Sequence, residues 1–245
     1  MNRFFIEKIN PKDKSIILSD HTQLHHLRDV LRARPLEKVA FFDGSGNEYI
    51  AVVTEIGPGA ARLEVKERKL SREPGVKITV ACAIPKKVKM DDIVDKLTQL
   101  GVQRIIPLQT ERVIVRLDKQ KKAQRLSRWQ KIALSASKQS QRSKLPIIDP
   151  ITGFKDAVLA GSGFDLKLIP TLGGRRESLK EVFSGFSGKI EKVMLLIGPE
   201  GDFTPGEVAL AKEAGFLPVS LGLQVLRVDT AAIAVVSFIR LNEEH

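Results

Sequence analysis

Three short loops hold the residue types best suited to gripping a small polar ligand: Thr171-Leu172-Gly173-Gly174, Gly198–Thr204 and Leu221–Val228. Each follows an apolar run of strand length. Glycine lets backbone N–H and C=O groups approach a ligand closely, so such a site needs few conspicuous side chains. Gly198-Pro199-Glu200-Gly201 also reads as an ordinary tight turn, and both readings stand at this level. A second candidate is Lys86, Lys87 and Lys89, which follow Pro85 at the end of a β-branched run. They suit an anionic ligand, or plain solvation.

Other chemistries are missing from the sequence. There is no glycine-lysine-serine phosphate loop and no Gly-x-Gly-x-x-Gly after a strand, which weighs against common nucleotide sites and the commonest methyltransferase fold. His-Glu-x-x-His and Gly-x-Ser-x-Gly are also missing. Cys82 sits inside a strand pattern and reads as core, not nucleophile. One cysteine excludes an internal disulfide and fits a reducing cytoplasm. Four histidines and one cysteine are a poor donor set for zinc, so no metal is expected. No apolar run reaches a membrane span, and the charged N-terminus is unlike a signal peptide.

The 245 residues carry a formal charge of +11. Residues 112–144 hold eleven Lys and Arg, including Arg112, Arg128 and Arg142, against Asp118 alone. So local an excess is either a solvated face or the footprint of a polyanion, nucleic acid first.

The elements that must position these groups fall into two parts. Residues 1–72 read as mostly β, with strands at Val39–Phe42, Tyr49–Ile56 and Ala61–Val65 and a glycine hairpin loop at Asp43–Asn47. Asp20 precedes a short helix whose Leu24, Leu27, Val30 and Leu31 share a face. His25, Arg28, Arg32 and Arg34 are then free to face elsewhere, as a polar surface or as an RNA-docking patch. Polar, turn-rich Glu67–Glu73 marks the domain boundary, giving domains 1–72 and 73–245. From Val76 the pattern is βαβ: Val76–Ile84, a helix from Met90 closed by Gly101, and Val102–Pro107, which predicts an α/β domain with a mostly parallel sheet. Lys119–Gln141 reads as a long basic helix with Trp129 on its buried stripe. Asp156–Leu159 is a short helix, Asp165–Pro170 a strand, and Ser178–Phe183 helical. Val193–Ile197 is the next strand. Thr204, Pro205 and Glu207 form a capping-box start to a helix that Gly215 ends. Phe216–Leu221 is the last strand, and a last helix begins near Asp229.

Taken together, these motifs resemble a known family. Leu196-Ile197-Gly198-Pro199-Glu200-Gly201-Asp202-Phe203-Thr204, Leu221-Gly222 and Val225-Leu226-Arg227 with Asp229-Thr230-Ala231 are similar to the SPOUT superfamily of knotted methyltransferases. Within it they look like the RsmE family, which methylates N3 of one uridine in 16S ribosomal RNA. His25-His26-Leu27 and Phe42-Asp43-Gly44 resemble that family's N-terminal PUA-like β-barrel; Lys96-Leu97-Thr98 and Arg128-Trp129-Gln130 resemble later parts of it. The family usually has Gly-Pro-Arg where this chain has Gly222-Leu223-Gln224, and Glu where it has Asp229. A methyltransferase with another RNA target, and a noncatalytic RNA-binding or ribosome-assembly protein, are the alternatives.

The resemblance implies a deep trefoil knot in the C-terminal domain, a homodimer, and bent S-adenosylmethionine (SAM) in the three loops. Its expected contacts are Thr171, Leu172 and Gly173; Leu196, Ile197, Gly198, Pro199, Glu200 and Gly201; and Ser220, Leu221, Gly222, Leu223, Val225, Leu226 and Thr230. It implies Arg227 and Asp229 as catalytic groups, the first stabilising charge and the second taking or orienting a proton, with a salt bridge between them as the plain alternative. It implies that 16S rRNA within the 30S subunit meets His25, Arg28, Arg32, Arg34, Lys86, Lys87, Arg112, Arg128 and Arg142.

Overall fold

The computed structural model describes residues 1–7, 9–10, 13–72, 74–85, 90–112 and 118–243. The chain packs into two compact units, Met1–Glu73 with Ser137–Leu145, and Pro74–Ala136 with Pro146–His245. Ser137–Leu145, the end of the basic helix and the residues after it, groups with the first unit. Backbone bonds explain this: Leu145 N–H donates to Gly44 O (2.9 Å) and Gly46 N–H to Ser143 O (3.2 Å). Arg3 adds a 2.6 Å ion pair to Glu48 and a 2.9 Å bond to Ser143 Oγ.

The first unit comprises β1 (Arg3–Phe5), β2 (Ser15–Leu18), α1 (His21–His25) running into a π-helical turn (His26–Val30), β3 (Lys38–Phe42), β4 (Asn47–Ile56) and β5 (Ala61–Leu70). Its five strands form one sheet in the order β1-β3-β4-β5-β2, antiparallel except for β1 beside β3. Asp20 caps α1 by accepting from Gln23 N–H at 2.9 Å. The π-helical turn corrects the expected apolar face. Leu31 N–H reaches back five residues to His26 O, and the extra residue rotates the positions after it. Leu24 and Leu27 are buried, but Val30 is 58% exposed. β5 also runs well past the expected Val65. Its polar end, Glu67–Leu70, pairs with Asn47–Ile50, so backbone bonding holds a strand that side-chain pattern alone does not mark.

The second unit runs β6 (Lys77–Ala83), α2 (Met90–Gln99), β7 (Arg104–Gln109), α3 (Lys119–Gln139, whose last residues from Ser137 belong to the first unit), β8 (Ile147–Ile148), β9 (Thr152–Gly153), α4 (Phe154–Leu159), β10 (Leu166–Pro170), β11 (Glu177–Ser178), α5 (Leu179–Gly185), β12 (Lys192–Ile197), α6 (Pro205–Glu213), β13 (Leu217–Ser220) and α7 (Val228–Leu241). All its strand pairs are parallel, in the order β11-β13-β10-β12-β6-β7-β8, with β9 also on β7. Alternation along the strands builds two cores. On β12, Val193, Leu195 and Ile197 pack with α2, α3 and α7, whereas Met194 and Leu196 pack with α4 and α6. A strand covered on both faces reads as a continuous apolar run, which is why these strands are conspicuous in the sequence. Trp129 of α3 is buried in the first of these cores.

Candidate active site

Parallel strands deliver their following loops to one edge of the sheet, and ligands bind there. The loops after β10, β12 and β13 do converge, and they line a cleft of about 560 Å³ counting its mouth. The β12 loop is shaped by a close approach at Gly198, where a Cβ would stand 3.1 Å from the Phe203 ring. Phe203 is buried and packs on Phe154 with ring centroids 5.1 Å apart. The loop ends in the expected capping box. Thr204 Oγ1 accepts from Glu207 N–H (3.2 Å), and Glu207 Oε2 accepts from Thr204 N–H (2.9 Å). The other Glu207 oxygen accepts from Glu111 N–H at 3.0 Å, tying in the loop after β7.

In the loop after β13, Ser220 Oγ accepts from Gly222 N–H (3.3 Å), and Gly222 takes a left-handed φ of +110°. Arg227 is the N-cap residue of α7 and is exposed. No ion pair joins Arg227 to Asp229 among the described residues. Asp229 instead turns Oδ1 into the protein, where this atom is buried with no hydrogen-bond partner. A buried acceptor left unpaired costs free energy; neither Asp229 nor Arg227 lines the cleft itself, although Val228 between them does. Burial pushes the nearby Cys82 thiol up, and the negative charges of Asp229 and Glu200 add to that. Cys82 is therefore an inert core thiol.

Among the loop residues named from the sequence, Thr171, Leu172, Ile197, Gly198, Pro199 and Glu200 line the cleft, as do Leu221, Gly222, Val225 and Leu226. Six others do not. Leu196 points to the opposite core, since neighbouring strand residues face opposite ways. Gly173, Gly201, Leu223 and Thr230 are exposed outside it, and Ser220 braces its loop from below. Asp202, within the Gly198–Thr204 loop but not named there as a contact, and Arg176, which the sequence does not single out, also line the cleft. Arg176 donates to Thr171 O at 2.7 Å, and Asp202 Oδ2 accepts from Leu172 N–H at 2.8 Å. A signal for Asp202 does exist in the sequence, because Asp tolerates a left-handed turn after Gly201.

The cationic candidates divide. Arg32 and Arg34 are exposed. Arg28 and His25 are engaged by Asp29, and the Arg28 hydrogen bond leads the effects that hold the Asp29 carboxyl down at about 2. Arg128 is exposed and pairs with Asp91. Arg142 is 8% exposed, so its guanidinium is not presented to solvent as an open phosphate contact would require. Arg112 donates to Gly201 O and, at 3.3 Å, to Asp202 O. Lys86, Lys87 and Arg116 lie outside the described residues. No group of metal-ligating side chains occurs among the described residues, and none of their helices is long and apolar enough to cross a membrane.

A family model described as RNA methyltransferase domain matches residues 72–240, and one described as RNA methyltransferase PUA domain matches residues 18–66. The chain belongs to the RNA methyltransferase family. It is 30% identical to a ribosomal RNA small subunit methyltransferase E of Mesomycoplasma hyopneumoniae, across 95% of this chain and 96% of that protein. A crystal structure of a ribosomal RNA small subunit methyltransferase E from Neisseria gonorrhoeae, bound to S-adenosyl methionine, superposes with a TM-score of 0.86 at 32% identity, covering 98% of this chain and 97% of that one. A methyltransferase from Legionella pneumophila, solved with bound SAM, gives 0.84 at 30% identity over 98% and 96%. Relationship across almost the whole length covers both units and the loops that line the cleft.

Proposed function

We propose that this chain is a SAM-dependent methyltransferase acting on 16S rRNA of the small ribosomal subunit, at N3 of a uridine. The observation that carries the reading is the cleft made by three loops at one sheet edge, in a chain related end to end to small subunit methyltransferases. The residues present fit SAM. Ile197, Leu221, Val225 and Leu226 offer apolar walls, and the glycine loops offer backbone donors and acceptors. SAM supplies an activated methyl group on a sulfonium. The protein's part is to orient the base, exclude water and manage charge.

Uracil N3 carries a weakly acidic proton that must leave as the N–C bond forms. Asp229 takes or orients that proton, and the exposed Arg227 guanidinium at the start of α7 stabilises the developing uracil or phosphate charge. Backbone of Gly198–Glu200, Leu221–Gly222 and Gln224–Leu226 holds adenine and ribose. α3, Arg32 and Arg34, together with the lysines at 86 and 87, place RNA phosphates, and the uridine leaves its stack to reach the cleft. In this reading the first unit is a PUA-like RNA-docking domain. The second carries a trefoil knot, the protein is a homodimer, and it works in the cytoplasm.

The test is incubation with tritiated SAM and 30S subunits from a strain lacking the uridine methylation, with the labelled nucleotide mapped by mass spectrometry. Label at a uridine N3 is the expected result. SAM binding by calorimetry without label assigns a different RNA target. Without SAM binding the methyl-transfer reading falls, and RNA binding alone remains.

A further inference from the structure

Two of the loops around the cleft are joined by a carboxylate. Asp202 holds a left-handed φ of 64°, and its two oxygens serve two segments. Oδ2 accepts from Leu172 N–H in the β10 loop and Oδ1 from Phe203 N–H in its own loop, both at 2.8 Å. Asp202 N–H closes a turn onto Pro199 O at 2.9 Å. From outside, Arg112 donates to the carbonyls of Gly201 and Asp202, and its stem passes within 3.7 Å of where a Gly201 Cβ would be. The neighbouring Glu111 N–H is fixed in turn by buried Glu207 of α6. Leu172 and Asp202 both face the cleft.

We propose that Asp202 and Arg112 are a positioning pair that sets the spacing of the β10 and β12 loops and thereby the affinity for SAM. Arg112 serves the cofactor loop and not an RNA phosphate. This deepens the cofactor reading of the cleft and rests on it. Hydrogen bonds to a carboxylate are stronger than neutral ones and define direction as well as distance.

The test is SAM titration calorimetry on the full chain and its variants, with thermal midpoints recorded alongside. Asp202→Gly keeps the left-handed backbone accessible and removes only the carboxylate. It is expected to weaken SAM binding on the order of tenfold or more, with a thermal midpoint close to that of the native chain. Asp202→Asn, which tolerates the same backbone and retains one acceptor, recovers part of the loss. Arg112→Ala is expected to weaken SAM binding while leaving the slope of log RNA affinity against log salt unchanged. A phosphate contact would instead lower that slope by about one. Native-like SAM affinity in Asp202→Gly overturns the role of Asp202. A reduced salt slope with intact SAM affinity in Arg112→Ala overturns that of Arg112. A native chain that takes up no SAM overturns the cofactor reading of the cleft, and this proposal with it.

Discussion

At the scale of single residues, the chemistry divides between groups the sequence exposes and groups only burial explains. Arg227 is legible because it comes after a glycine loop, and the structure leaves it exposed at the start of α7. Its removal takes away charge stabilisation and not binding surface. Arg227→Ala is therefore expected to lower kcat by about 10²–10³-fold with little change in SAM or RNA affinity, measured by single-turnover methylation beside calorimetry. Full turnover in that variant would end its assignment. Asp229 is legible as an acid, but its unpartnered buried oxygen is not, because burial of one atom depends on neighbours remote in sequence. Cys82 is the converse case, a reactive residue type made inert. A disulfide reagent at pH 8 is expected to leave the folded protein unlabelled and to react once urea unfolds it, since burial keeps the thiol protonated and out of reach. Rapid labelling of the native protein would contradict this.

At the scale of elements, local chemistry specifies ends better than middles. The Thr204-Pro205-Glu207 box is visible in sequence and is made as written. Replacing the cap, Thr204→Ala, is expected to cost about 0.5–2 kcal/mol in urea unfolding and to loosen the cofactor loop it terminates. An equally good box at Ser178 and Glu181 is harder to see in the sequence because the helix it opens, α5, is only seven residues long. The hairpin loop between β3 and β4 is fixed by Asp43, which accepts from Ser45 N–H (2.8 Å), Ser45 Oγ (2.7 Å) and Asn47 Nδ2 (2.8 Å). Partial burial raises the Asp43 carboxyl, but these hydrogen bonds outweigh it and hold it below its ordinary value. A depressed folded value means stability that is present above the unfolded carboxylate range and lost as pH falls through the folded one. Native protein is thus expected to exceed Asp43→Asn in thermal midpoint by a constant margin above about pH 5, with the margin closing below about pH 4. A margin independent of pH would remove Asp43 from that role. The π-helical turn after α1 shows the limit of periodicity. One extra residue per turn is invisible in a 3.6-residue pattern, and it moves Val30 off the expected face.

At the scale of the whole molecule, most of the charge excess sits on one helix. α3 carries Lys121, Lys122, Arg125 and Lys131 along its length, with Lys121 also against Asp118. If these meet phosphates, changing Lys122 or Lys131 to Gln each lowers the salt slope of RNA binding by about one. Filter binding from low to moderate salt measures it, and unchanged slopes would return the helix to a solvated face. The sequence by itself determined the residue types, the βαβ order, the glycine loops and the helix caps, because these depend on interactions within a few positions of one another. It also carried the family, through several motifs in one order. Tertiary structure decided the rest. It brought Ser137–Leu145 to the first unit through bonds to Gly44 and Gly46, and placed Leu196 on the face away from the cleft. It buried Arg142, and it set Asp202 and Arg112 across loops tens of residues apart. The physical reason is the same in each case. Hydrogen bonds and burial between distant segments depend on how strands are ordered in a sheet, and strand order is a property of the packed chain.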